Sequence, residues 1–149
     1  MSSPTCKGED ILNLIPQRPP ILMLDGYLFE DELHCQSELT VAEDNIFLGD
    51  DGRIAEEGIL EHVAQTAAAH IGYLQRQEGE AVGLGYIGDI KRCTFSGLTP
   101  EAGDTLYTKL TVVSQVGGIT MVSAETSADG RTILTCRMKV ATEYGGNVL

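Results

Sequence analysis

With 149 residues the chain is long enough to bury one sizeable core, and nothing in its length calls for a second domain. Ten basic against twenty-two acidic residues give a formal net charge of −12, which argues against nucleic acid or an anionic membrane surface as a partner. Cys6, Cys35, Cys93 and Cys136 are scattered, with no CxxC pair and no histidine at ligand spacing, so neither a metal site nor a disulfide framework is expected. With no leader-like apolar segment and no apolar run of membrane-spanning length, the expected compartment is the cytoplasm.

Residues 1–8 are small and polar and read as a loose tail, ahead of a single domain over 9–149. In 9–15 acids precede apolar residues and run into Pro16, the pattern of a short helix. Pro16, Pro19 and Pro20 fix φ and remove donors, so 15–20 is a stiff extended loop that presents Gln17 and Arg18. Strands are expected over 21–30 and 33–41, joined by an acidic turn at Asp31. The turn-rich, acidic stretch 42–55 then leads into a helix.

That helix, 56–76, is the long one. Ile59, Leu60, Val63, Ala64, Ala67, Ala68, Ile71 and Leu74 keep to one broad face at about 100° per residue. Glu61 falls at the edge of this face, and Gln65, one turn on, stands nearly above it. Glu56 and Glu57 suit the positive end of the helix dipole. The alanines in the middle leave room for strands to approach. After the helix, 81–97 reads as a glycine-containing strand bent at Gly88. Strands 105–115, 119–128 and 131–142 follow, joined by hairpins at Gly117-Gly118 and Asp129-Gly130. The class implied is α+β, an antiparallel sheet wrapped around one long central helix.

Three stretches resemble the hotdog-fold 3-hydroxyacyl-acyl-carrier-protein dehydratases. Ile15-Pro-Gln-Arg-Pro-Pro-Ile-Leu-Met-Leu-Asp25 is similar to the family's Leu-Pro-His-Arg-x-Pro-x-Leu-Leu-x-Asp segment, and Glu61-His-Val-Ala-Gln65 to its Glu-Ala-Met-Ala-Gln. Ile90-Lys-Arg-Cys-Thr-Phe95, followed by Pro100 and Gly103-Asp104, resembles its basic strand and Pro-Gly-Asp turn. The Gly-His-Phe-Pro segment that precedes the helix in the housekeeping enzymes is missing, which is more like the subgroup associated with aryl polyene pigment synthesis. Where the family has its catalytic histidine, this chain has Gln17.

The resemblance implies a cofactor-free syn elimination of water from a 3-hydroxyacyl thioester on acyl carrier protein or CoA. A histidine takes the α proton and a carboxylic acid protonates the departing hydroxyl. It also implies a site built across a dimer, the loop of one subunit facing the helix of the other. Glu61 is the acid and Gln17 occupies the base position. Gly58, Gln65, Lys91 and Arg92 lie toward the substrate, although Lys91 and Arg92 read equally well as a solvated strand edge.

Gln17 cannot be the base, because an amide accepts no proton at physiological pH. His62 projects about 100° away from Glu61, and His70 lies roughly 13 Å along the axis, so neither pairs with it on the same helix. Both read as polar or core-edge histidines, and His34 stays open as a substitute. The readings that stand are a dehydratase-like protein of fatty-acid or polyene-type biosynthesis, slow by itself; the incomplete half of a heterodimer with a His-bearing homologue; a Glu-dependent hotdog thioesterase; and an acyl-binding module without turnover.

Overall fold

The computed structural model describes residues 5–79 and 85–142. Seven strands form one antiparallel sheet in the order β1-β2-β3-β5-β6-β7-β4. They are β1 (Thr5–Lys7), β2 (Gly26–Asp31), β3 (His34–Thr40), β4 (Gly85–Phe95), β5 (Thr105–Val116), β6 (Ile119–Ala128) and β7 (Arg131–Thr142). The long helix, α1 (Glu56–Gln77), packs against β2 through β7, so the sheet wraps it as expected. A 3₁₀ turn over Gly8–Asn13 takes the place of the short helix and drives Ile11 into the core. No helix among the described residues is long and apolar enough to cross a membrane.

Local chemistry accounts for the topology. The strands β5, β6 and β7 are consecutive neighbours because two-residue turns join them. At the second of these turns Asp129 and Gly130 both take positive φ, 52° and 74°, the mirror-image geometry whose twist matches a hairpin. Leu134, Cys136, Met138 and Val140 of β7 face the core while Arg137 stays exposed, the expected alternation.

Three elements differ from expectation. Thr5–Lys7, placed within a loose tail, pair with β2 as an edge strand. The strand expected from residue 21 begins only at Gly26, because the backbone of 21–23 is bonded by side chains of α1 instead of by a neighbouring strand. In β4 the register shifts at Gly88, as foreseen, and again between Lys91 and Thr94, where Arg92 adopts φ 51°. The start of that expected strand, 81–84, lies outside the described residues.

The helix is buried nearly all round, and its innermost line is polar. His62, Gln65 and Thr66 are fully buried and His70 nearly so, whereas Leu60, Ala68 and Leu74, expected in the core, are only partly covered. The sheet explains the inversion. Ser37, Thr108 and Thr126 lie directly opposite one another on β3, β5 and β6, a row of inward hydroxyls facing the helix.

Gly58, in the first turns of α1, is needed for contact. A methyl group there would lie 2.5 Å from Phe47 Cβ and 3.0 Å from Ile54 Cγ1. Gly58→Ala gains up to about 1 kcal/mol of helix propensity, but the overpacking it forces costs about 1–3 kcal/mol. The expected outcome in urea unfolding is a variant less stable than wild type; a more stable one would show that Phe47 moves aside freely.

Candidate active site

The proline-rich loop is closed at its neck by Arg18. Its guanidinium donates to the carbonyls of Ile15 at 2.8 Å, Gln17 at 2.9 Å and Leu12 at 3.0 Å, so this side chain folds back where it was expected to point outward. Gln17 is half-buried, and its Oε1 is buried with no partner among the described residues.

Beyond the loop, the chain crosses α1 and is gripped there at Met23. Met23 N–H donates to Gln65 Oε1 at 2.6 Å, and Met23 O accepts from His62 Nδ1 at 2.8 Å. Gln65 Nε2 donates to Ile21 O at 2.9 Å and to Glu61 Oε2 at 2.8 Å. The stacking of Gln65 above Glu61 is thus a real bond, and it uses one oxygen of the carboxylate. Glu61 is part-buried and shares its helix face with exposed Glu57 and part-covered Ala68.

Gln65, expected to face substrate, is fully buried with both ends of its amide engaged within the chain, so it orients Glu61. Gly58 is occupied by packing against Phe47 and Ile54. Lys91 and Arg92 are exposed on β4. Lys91 lies 3.5 Å from Asp89 and stands opposite exposed Arg137 of β7.

The histidines are held away from Glu61. His62 and His70, expected at the core edge, are interior groups. His70 accepts from the Tyr27 hydroxyl at Nδ1, 2.6 Å, and donates from Nε2 to Glu32 O at 2.8 Å. His34 is exposed on the β2–β3 hairpin with Nδ1 2.8 Å from Asp31 Oδ1. Two hollows, of about 270 Å³ beside Gly26, Gln36 and Tyr107 and about 370 Å³ beside Leu14, Tyr73 and Arg76, are lined by neither Glu61 nor Gln17.

What sequence reasoning missed is the role of His62 and of the hydroxyls around it. The signal was there: Ser37, Thr108 and Thr126 each interrupt an inward apolar alternation, between Cys35 and Leu39, Leu106 and Leu110, and Ala124 and Ala128.

The ApeP-like family model, that of the ApeP dehydratase, matches residues 9–145. The chain belongs to the ApeP-like dehydratase family. Among solved structures, this ApeP-like chain is similar to the dehydratase heterocomplex ApeI:P from Xenorhabdus doucetiae, with TM-score 0.84 and 19% identity over 91% of this chain and 92% of that one. It is similar also to Cj0977, a sigma28-regulated virulence protein from Campylobacter jejuni, with TM-score 0.67 and 15% identity over 89% and 87%. A hypothetical thioesterase protein with coenzyme A from Streptococcus pneumoniae TIGR4 gives TM-score 0.59 and 13% identity over 89% and 91%. At such identities the likeness is one of fold, the hotdog fold. A comparison with curated protein sequences finds no match.

Burial pushes His62 down from 6.5 to about 4, against the opposing pull of its bond to Met23 O. The native state thus refuses a proton that the unfolded chain takes up below about 6.5, so stability is full above that pH and declines as pH falls toward about 4. At about 1.4 kcal/mol per unit, the loss is about 3 kcal/mol. His70, also lowered by burial, acts in the same direction. Urea unfolding between pH 7 and 4.5 should show this decline, and His62→Asn should flatten it; an unaltered slope would assign the proton elsewhere.

Proposed function

We propose that this chain supplies the acid, Glu61, to a cytoplasmic dehydratase that converts 3-hydroxyacyl thioesters to 2-enoyl thioesters, and that a homologous subunit bearing a histidine supplies the base. The observation that carries the reading is the placement of the three histidines. Two are locked in the interior and the third is paired with Asp31 on a hairpin, so Glu61 is presented without a base from its own helix. In the elimination, the base breaks the α C–H bond, the electron pair forms the C=C bond, and the hydroxyl leaves as water with the proton of Glu61. Gln17, at the position of the family histidine, holds an oxygen by hydrogen bonding and abstracts nothing.

A site shared with a second subunit agrees with the long outer strand β4, which among the described residues has β7 as its neighbour on one side and is an edge on the other. The relative from Xenorhabdus doucetiae is itself a dehydratase heterocomplex. Lys91, Arg92 and Arg137, exposed near that edge, would meet the acidic face or phosphopantetheine of an acyl carrier protein, a local exception to the overall charge of −12. A thioesterase reading is kept by one feature, since a lone helix-borne carboxylate can direct water at a thioester without a histidine.

In the assay, the purified chain alone should dehydrate 3-hydroxyacyl thioesters slowly, about 10² to 10⁴ below its rate with a His-bearing homologue. Gln17→His should recover part of the rate, and adding Glu61→Gln should abolish that gain. Light scattering should show a dimer at micromolar concentration, of two copies or of the mixed pair. A full rate from the chain alone that survives Glu61→Gln refutes the assignment. Glu61-dependent release of free thiol instead of enoyl product establishes the thioesterase.

A further inference from the structure

His62 stands where the resembled dehydratase segment has an alanine, fully buried beside Glu61 in sequence. The bonds around it have a direction. A carbonyl oxygen only accepts, so the 2.8 Å bond to Met23 O places the imidazole proton on Nδ1. Nε2 is then an acceptor, Thr108 donates to it at 3.0 Å, and Thr126 donates to Thr108 at 2.6 Å. Thr66 donates to the His62 carbonyl and Ser37 donates to Thr66, so Ser37, 3.4 Å from Nε2, has no proton left for the ring. On the far side a backbone N–H only donates, so Met23 fixes Gln65 Oε1 as acceptor and leaves Gln65 Nε2 to donate to Glu61 Oε2. Every donor points the same way, from the sheet through His62, Met23 and Gln65 to Glu61.

We propose that His62 is a positioning residue for Glu61: as its Nδ1–H tautomer it holds the Met23 carbonyl and so places the Met23 N–H that orients Gln65, so that Oε2 always accepts from Gln65 and Oε1 is the oxygen that holds and delivers the proton. The inference rests on the reading of Glu61 as the acid. Confining the proton to one oxygen gives the departing hydroxyl a single donor geometry, a gain in orientation instead of in binding.

Long-range ¹H–¹⁵N spectroscopy of the wild-type His62 ring should find Nδ1 protonated and Nε2 bare at neutral pH. The other tautomer, or an imidazolium, overturns the proposal whatever the activity. In the complex with a His-bearing homologue, His62→Leu should lower kcat about tenfold with KM little changed. His62→Asn, whose amide nitrogen reaches the place of Nδ1, should restore it. Tyr27→Phe removes a 2.6 Å buried bond to His70 on the same helix and should leave kcat as it was. An unchanged kcat in His62→Leu, or an equal loss in Tyr27→Phe, overturns the proposal. If the complex dehydrates nothing, the functional reading has failed, and exchange of the Gln65 side-chain amide decides: faster in His62→Leu than in His62→Asn supports the proposal, and equal rates refute it. The ring measurement needs no variant, so the proposal stays testable even if His62→Leu does not fold.

Discussion

The structure depends on the grip that α1 takes on Met23. A segment crossing a helix without a strand beside it has backbone groups to satisfy, and leaving one buried and unpaired costs about 1–3 kcal/mol. Here both polar groups of Met23 and the carbonyl of Ile21 are met by His62 and Gln65. The same two side chains follow Glu61 in the helix, so one set of bonds fixes the loop, the helix and the carboxylate together. Such a network is stabilising only when complete, since each missing member strands its neighbours.

The polar interior follows from this grip. A histidine carrying a proton toward Met23 needs a donor behind its second nitrogen, and the hydroxyls of β5 and β6 supply it. Burial keeps the ring neutral, which preserves Nε2 as an acceptor. The helix therefore pairs polar line with polar row where an ordinary amphipathic helix would bury only its aliphatic stripe.

Much of this was legible in the sequence. The long helix, the two-residue hairpins and the irregularity at Gly88 came through because each rests on local chemistry: periodicity, turn residues and a glycine in a strand. The stacking of Gln65 with Glu61 followed from helical spacing. Edge strand β1 was hidden because a three-residue pairing leaves no periodic trace, and residues 21–25 misled because an apolar run reads as a strand until the partner of its backbone is known. His62 and His70 were placed at the rim because hydropathy ranks histidine as polar, and the hydroxyls that face His62 show in the sequence only as three interruptions of apolar alternation, which the register of three strands aligns.

Site and scaffold thus tell one story, in which the fold secures the Glu61 carboxylate through Gln65 and keeps both histidines of the same helix bonded elsewhere. The most direct measurement is exchange of the α proton of a 3-hydroxyacyl thioester with deuterated solvent, because that step asks for a base and nothing else. The account predicts that exchange with this chain alone is about 10² to 10⁴ slower than once a His-bearing homologue is added, and that the gain persists when Glu61 is changed to Gln. Exchange at an enzymatic rate by the chain alone would contradict it.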